Sequence, residues 1–191
     1  MPRYVYQSYF FVIWIAWVVY WYVAARDFKA VVRREPFASR IAHIGPLVLA
    51  VLLLAMPRLP YFGLATRLLP PTLAGFWIGA AIATAGLLYT VWARVHLKGN
   101  WSGTVTIKAD HELVTTGPYR FTRHPIYTGL LAAFLGSAIA DGEARGALAF
   151  LIAFAALWRK LRLEERWMTE QFGETYKAYS QRVAALIPKI L

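Results

Sequence analysis

Five apolar stretches, punctuated by charge, leave this chain few ways to fold in water. They run Tyr9 to Ala25, Ile41 to Met56, Thr72 to Ala93, Pro125 to Ala140 and Ala144 to Trp158, with lengths of 17, 16, 22, 16 and 15 residues. The first four contain no Asp, Glu, Lys or Arg, and the fifth carries only Arg145. Hydrophobic residues make up 59% of the 191, against about 45–50% in an ordinary soluble domain. A hydrocarbon core of about 30 Å takes roughly 20 apolar helical residues, and interfacial flanks supply the few that are missing. In hydrocarbon each peptide group must be satisfied internally, so the stretches are expected as helices. The expected fold is therefore all-α and integral to a membrane, with five transmembrane helices. Only Asp141-Gly142-Glu143 separates the last two, which are expected as a short helical hairpin.

The charge balance points to orientation rather than to a nucleic-acid partner. Lys+Arg number 21 against 10 Asp+Glu, a formal +11, yet charged residues are only 16% of the chain. A nucleic-acid binder with this net charge normally presents a polar basic face. In the six segments that the helices leave, Lys+Arg count 1, 5, 2, 5, 1 and 7 from the N-terminus onward. The alternation, 17 on one side against 4 on the other, predicts an N-terminus outside and a C-terminus in the cytoplasm. Arg33, Arg34 and Arg40 of the first cytoplasmic loop are expected to fix this orientation rather than to bind anionic head groups. The first stretch has no basic n-region and no small-residue cleavage site, so it reads as a helix and not as a cleaved signal. The absence of cysteine removes disulfides, thiolate metal ligands and cysteine nucleophiles, and no metal site is expected.

Several polar and aromatic features admit a plain reading. Phe10, Trp14, Trp17 and Trp21 follow a four-three-four spacing along one helical face, as an aromatic belt and packing stripe would. His43 is expected as an interfacial residue, and Pro57 to Pro71 as a broken external loop with a short amphipathic piece. Gly99 to Lys108 alternates enough for a short strand or turn. Arg123-His-Pro-Ile-Tyr-Thr-Gly129 opens the fourth helix, with Pro125 at a position where its missing N–H costs nothing. A helix start of this kind suits a carboxylate or phosphate, although the same residues also read as a basic cluster with a helix-initiating proline. Lys160-Leu-Arg-Leu-Glu-Glu-Arg166 contains no breaker, so the fifth helix should continue past the membrane and carry Glu164 out with it. Glu164, one turn from Lys160, suits either an ammonium group or an ordinary ion pair. Phe172 to Tyr179, with Ile187-Pro188 beyond, predicts a short cytoplasmic amphipathic helix able to fold back over a pocket.

At these residues the sequence resembles the isoprenylcysteine carboxyl methyltransferase family, in particular its bacterial and archaeal relatives. The likeness runs from Asn100 to Pro188. It is carried by His111-Glu-Leu-Val-Thr-Thr-Gly-Pro-Tyr119, by Arg123-His-Pro-Ile-Tyr-Thr-Gly129, and by Glu164-Glu165 followed by Phe172-Gly173, Tyr176, Tyr179 and Ile187-Pro188. The resemblance implies a multi-pass membrane enzyme, of a bacterial inner membrane, that uses S-adenosylmethionine without a Rossmann domain. It implies a cofactor-binding half in 99–191, which with the three N-terminal helices expected from hydrophobicity in 1–98 makes one membrane domain over 1–191. The family's cofactor contacts fall on His111, Glu112, Leu113, Val114, Tyr119, His124, Pro125, Ile126, Tyr127 and Glu164. Its acceptor-linked arginine falls on Lys160, flanked by Arg159 and Arg162, and lysine lacks the fork that a guanidinium offers a carboxylate.

The cofactor's ammonium, carboxylate, sulfonium and adenine ask for an acid, donor groups and aromatic walls. Glu164, the helix start at Pro125 with His124, and Tyr119, Tyr127 and Val114 can supply them. Methyl transfer from a sulfonium is an in-line displacement, so alignment and exclusion of water suffice and no general base is expected. The implied acceptor is lipophilic or small: a carboxylate, a thiol or a lipid amine. Two other readings remain open at this point, an NADPH-dependent sterol-type reductase with a similar C-terminal layout and a non-enzymatic membrane protein that keeps the pocket.

Overall fold

A computed structural model describes residues 3–24, 31–55, 61–101, 105–108 and 112–188. Each apolar stretch is a helix: α1 (Arg3–Ala24), α2 (Phe37–Ala55), α3 (Leu73–Leu97), α4 (Pro125–Asp141) and α5 (Ala144–Phe172). The 29 residues of α5 span about 43 Å at 1.5 Å each and carry its charged second half well beyond its apolar first half. Helix α6 (Glu174–Arg182) follows after Gly173. By length and apolar composition, α2 and the run Leu73–Asn100 can cross a membrane, while Ser8–Ala24 and Pro125–Asp141 are shorter. Phe11, Val12, Ile78, Leu88 and Leu151 are each more than half exposed, a surface suited to lipid rather than to water.

The tightest contact in the molecule joins α3 to α4, and glycine makes it possible. Thr72 caps α3, its hydroxyl accepting the Gly75 N–H at 3.0 Å. Seven residues separate Gly79 from Gly86 on α3 and Gly129 from Gly136 on α4, so each pair returns to the same face after two turns. Running antiparallel, Gly86 meets Gly129 and Gly79 meets Gly136. A Cβ on Gly86 would stand 2.5 Å from the Gly129 carbonyl, and one on Gly129 would stand 2.5 Å from the Gly86 carbonyl. Ala83 and Ala133, both fully buried, fill the space between. Small residues let the two backbones approach, which is how helices associate where lipid removes the hydrophobic driving force.

Helix α1 is attached differently, through side chains that reach across a wider gap. The Tyr9 hydroxyl meets Thr84 Oγ1 at 2.7 Å, Trp14 Nε1 donates to Ser137 Oγ at 3.2 Å, and Trp17 Nε1 donates to Thr90 Oγ1 at 2.6 Å. Ser137 and Thr90 also donate to carbonyls of their own helices, at 2.8 and 2.7 Å, so each of these hydroxyls is satisfied twice. The aromatic stripe read from the sequence thus faces inward. On the other flank α5 packs on α2 and α4, with Leu53, Phe134 and Ala153 in a common core.

The turn between α4 and α5 explains the charge in the fifth apolar stretch. Gly142, at φ 67, closes α4, and Arg145 then lies 3% exposed at the start of α5. Its guanidinium donates to Leu53 O at the end of α2 at 3.0 Å, and pairs with Asp141 and, at 2.8 Å, with Glu143. The loop from Leu64 onward docks on this turn, Ala144 N–H donating to Thr66 O and Leu68 N–H to Gly142 O, both at 2.8 Å. The expected amphipathic piece is a single turn, Tyr61–Gly63, while Pro57 and Pro60 lie outside the described residues.

At the opposite end two short strands, β1 (Val31–Arg34) and β2 (Thr106–Lys108), pair antiparallel. This pairing gives the first loop a structural part alongside the orientation expected of its basic residues. Arg33 lies 4.1 Å over the Trp167 ring and bonds Glu170 at 2.7 Å, so it ties β1 to α5. The His43 side chain faces inward: it is 1% exposed and packed between α5 and the β1–α2 link.

The glycine contact predicts a large response to small changes. Gly86→Val should lower the thermal midpoint of the purified protein in detergent by the equivalent of about 1–3 kcal/mol or more, since the added atoms meet backbone. Gly45→Ala, where an added Cβ meets nothing within 4 Å, should leave the midpoint unchanged or slightly raised.

Candidate active site

A cavity of about 240 Å³ opens among the ends of α3, α4 and α5 on the side that carries β1 and β2. Its apolar lining includes Trp17 and Trp21 of α1 with Leu47, Leu130 and Leu157, and its polar lining includes Asn100, Glu112, His124, Lys160 and Glu164. The Trp17 and Trp21 rings stack at 4.5 Å, and Trp101 meets Trp21 edge-on at 5.6 Å.

His124 is the hub of the polar lining. As the residue before Pro125 it is kept out of helical backbone geometry, at φ −124 and ψ 63, which turns its side chain toward α5. Nδ1 lies 3.5 Å from Glu164 Oε2, and Nε2 lies 3.4 Å from Glu165 Oε1. Its ring is parallel to Tyr127, 5.4 Å away, and the Tyr127 hydroxyl donates to Glu164 Oε1 at 2.5 Å. Lys160 stands 4.0 Å from the same oxygen, with its ammonium 5.4 Å from the centre of the Tyr127 ring. Burial alone would lower the His124 pKa, but bonds to Glu164 and Glu165 outweigh it and hold the imidazole above its ordinary value. Burial raises Glu164 less than His124, Lys160 and Tyr127 lower it, so it stays ionised; Glu165, opposed in the same way by His124 and Arg123, is drawn down to about 2.

Arg123 closes the cavity with the C-terminal segment. Its Nε and Nη2 bond Glu165 Oε1 at 2.7 and 2.5 Å, while Nη1 donates to Ser180 O at 2.9 Å and to Val183 O. The main chain adds Arg123 N–H to Ala184 O at 2.8 Å and His124 N–H to Ala185 O at 3.0 Å, and Thr128 Oγ1 donates to Leu186 O at 2.7 Å. The Tyr179 hydroxyl, pushed by burial up to about 12, remains a donor and bonds Tyr119 O at 2.5 Å. Helix α6 and residues 183–186 thus fold back over the cavity, as the sequence led us to expect.

Of the residues singled out from sequence, Glu112, Leu113, Val114, Tyr119, His124, Pro125, Ile126, Tyr127, Lys160 and Glu164 all line this one cavity. His111 lies outside the described residues. Arg162 does not belong to the lining: two residues from Lys160 is about 200° around α5, and its side chain is exposed. Sequence reasoning passed over the joint work of Arg123 and Glu165, and it placed Trp17 and Trp21 in a packing stripe without seeing that they also wall a cavity. The four-three-four spacing was the available signal; which element the stripe would face was not in it.

Residues 74–175 match the family described as phospholipid methyltransferase. The chain is 31% identical over 114 residues to a probable protein-S-isoprenylcysteine O-methyltransferase of Oryza sativa subsp. indica, covering 58% of this chain and 53% of that protein. It is 38% identical over 71 residues to methanethiol S-methyltransferase 1 of Bradyrhizobium diazoefficiens, covering 37% of this chain and 24% of that protein. Among solved structures it is similar to the eukaryotic intramembrane Ras methyltransferase, isoprenylcysteine carboxyl methyltransferase. That likeness has a TM-score of 0.56 and 22% identity, over 83% of this chain and 55% of the other, and it concerns the fold. The matched region spans about half the length of the rice relative.

The charge cluster predicts a stability optimum in mildly acidic solution. Glu165 is held below its unfolded value of about 4.5, so its contribution is present above that pH and is lost as pH falls toward about 2. His124 is held above about 6.5, so its contribution is complete below that pH and is lost as pH rises through the elevated value. Thermal midpoints across pH should therefore peak between about 4.5 and 6.5. Glu165→Gln should flatten the acid limb and His124→Gln the alkaline limb, both with a lower maximum.

Proposed function

The chain belongs to the phospholipid methyltransferase family, and from that premise we infer that it transfers a methyl group from S-adenosylmethionine to a lipophilic or small acceptor in a membrane. The observation that carries this reading is one cavity lined both by the carboxylate of Glu164, beside His124 and Lys160, and by the aromatic faces of Trp17 and Trp21. The residues present fit the cofactor. Glu164 suits its ammonium, the aromatic faces of Tyr119 and Tyr127 suit the sulfonium and adenine, and Asn100 contributes an Oδ1 that is buried without a hydrogen-bond partner.

One assignment made from sequence shifts with the geometry. His124 already faces two carboxylates, so a third from the cofactor falls instead to the backbone N–H groups of Ile126 and Tyr127 in the first turn of α4. S-adenosylmethionine supplies an activated methyl group on a sulfonium, ready for in-line displacement. The protein's part is alignment: His124, Tyr127 and Lys160 hold Glu164 at a fixed place, and the C-terminal segment pinned by Arg123 excludes water. The reading includes five spans with the cavity toward the cytoplasm, supported by the distribution of basic residues and by the lipid-suited faces of α1, α2 and α3. A thiol or lipid-amine acceptor accords with the lysine at position 160, which offers no guanidinium fork to a carboxylate.

Titration of the purified protein with S-adenosylmethionine and, separately, with NADPH tests the reading. Binding of the first is expected, and Glu164→Gln should weaken it by at least about tenfold, the loss of a charge-assisted bond. NADPH binding without S-adenosylmethionine binding would overturn the proposal. Incubating membranes with methyl-labelled cofactor should label one class of lipid or thiol, which identifies the acceptor.

A further inference from the structure

Beside the cavity lies a second polar cluster, whose two buried members, Glu35 and His43, fall outside the segment that matches the family. Glu35, in the two-residue link between β1 and α2, is 3% exposed. Its N–H donates to Val105 O at 3.1 Å, which continues the β1–β2 pairing by one step. The return bond comes from its side chain: Oε1 accepts the Val105 N–H, also at 3.1 Å. One residue thus grips both polar groups of another.

A histidine backs the carboxylate. His43 Nε2 stands 3.4 Å from the same Oε1, near it but outside hydrogen-bond geometry. On the far side of the ring, Arg159 Nη1 meets Nδ1 at 3.4 Å and donates to Ser39 O at 3.1 Å. A guanidinium only donates, so Nδ1 is the acceptor and the proton of a neutral ring sits on Nε2, toward Glu35. Glu35 Oε2 is buried with no hydrogen-bond partner. Burying an acid with half of its acceptors unused is costly, and a glutamine would grip Val105 as well through one carbonyl oxygen.

What Val105 does gives this arrangement a purpose. Val105 and Thr106 line the cavity together with Trp101, and Arg159 directly precedes Lys160 on the helix that bears Glu164. We propose that Glu35 is a positioning residue: through Val105 it sets the wall formed by Trp101, Val105 and Thr106 at the distance from α5 that the methyl donor requires. His43 packs behind its carboxylate, and Arg159, beside the His43 ring, connects this cluster to α5. The ligand named here rests on the methyltransferase reading; the grip on Val105 does not.

Two measurements on the full chain in detergent test the proposal: hydrogen exchange in the peptide covering 101–106, and equilibrium binding of radiolabelled S-adenosylmethionine. Glu35→Ala should speed exchange of that peptide and raise the Kd about tenfold, as expected for losing a buried backbone partner. Glu35→Gln, which keeps an oxygen for the Val105 N–H, should restore both to within about twofold of wild type. Should Glu35→Ala fail to fold, Glu35→Asp, one methylene too short, is expected to show the same changes at about threefold. The proposal is overturned if Glu35→Ala exchanges and binds as wild type, or if Glu35→Gln is as impaired as Glu35→Ala. Wild-type protein that binds no S-adenosylmethionine would sink the methyltransferase reading instead, and the exchange comparison would still decide the role of Glu35.

Discussion

The backbone contact between α3 and α4 is the constraint on which the rest of the structure depends. Where Gly86 meets Gly129, neither helix has a side chain to slide, so register and separation are set together. That register fixes where α4 begins relative to the end of α3, and hence where His124 and Tyr127 stand. α5 then returns along α4 after a turn of two residues and delivers Lys160, Glu164 and Glu165 to the same level. The cavity is thus a consequence of helix register more than of any loop. The loops close it, through Arg123 on one side and Glu35 on the other.

Charge is handled in two ways that differ by location. At the α4–α5 turn, Arg145 satisfies helix-end carbonyls and two acids, a structural use. At the other end the groups are arranged so that an acid stays ionised next to open space. Glu164 has three partners, His124, Lys160 and Tyr127, yet still lines the cavity. Such an acid is held in place without being covered, which is what a site for a cationic ligand needs. Glu165, one residue on, is instead used up in bonding Arg123 and His124. Adjacent acids on one helix therefore have separate duties, decided by the 100° between them.

Much of this was legible in the sequence, and for a physical reason. Helices in lipid satisfy their own backbones, so apolar length and charge punctuation mark them directly, and all five stretches are helices. The proline after His124 and the glycine after Asp141 mark the ends of α4 by local chemistry alone. Less legible was everything that depends on a partner distant in the chain. The alternation over Gly99 to Lys108 allowed for β2, but its partner β1 lies more than 70 residues away and no local signal pointed to it. The burial of His43 was not legible because its neighbours, Glu35 and Arg159, come from outside its helix.

By itself the sequence determined the helical class, the apolar stretches, the asymmetry of basic charge and the family motifs, all of them local or compositional properties. It also placed ten of the cavity-lining residues in two short motifs and one helical turn. Tertiary structure decided which faces meet. It turned the tryptophan stripe inward, sent Arg162 out, gave Arg123 to the C-terminal segment, and set Glu35 against Val105. These outcomes depend on helix register and on pairings across the bundle, which glycine-to-glycine contact fixes and which no single segment encodes.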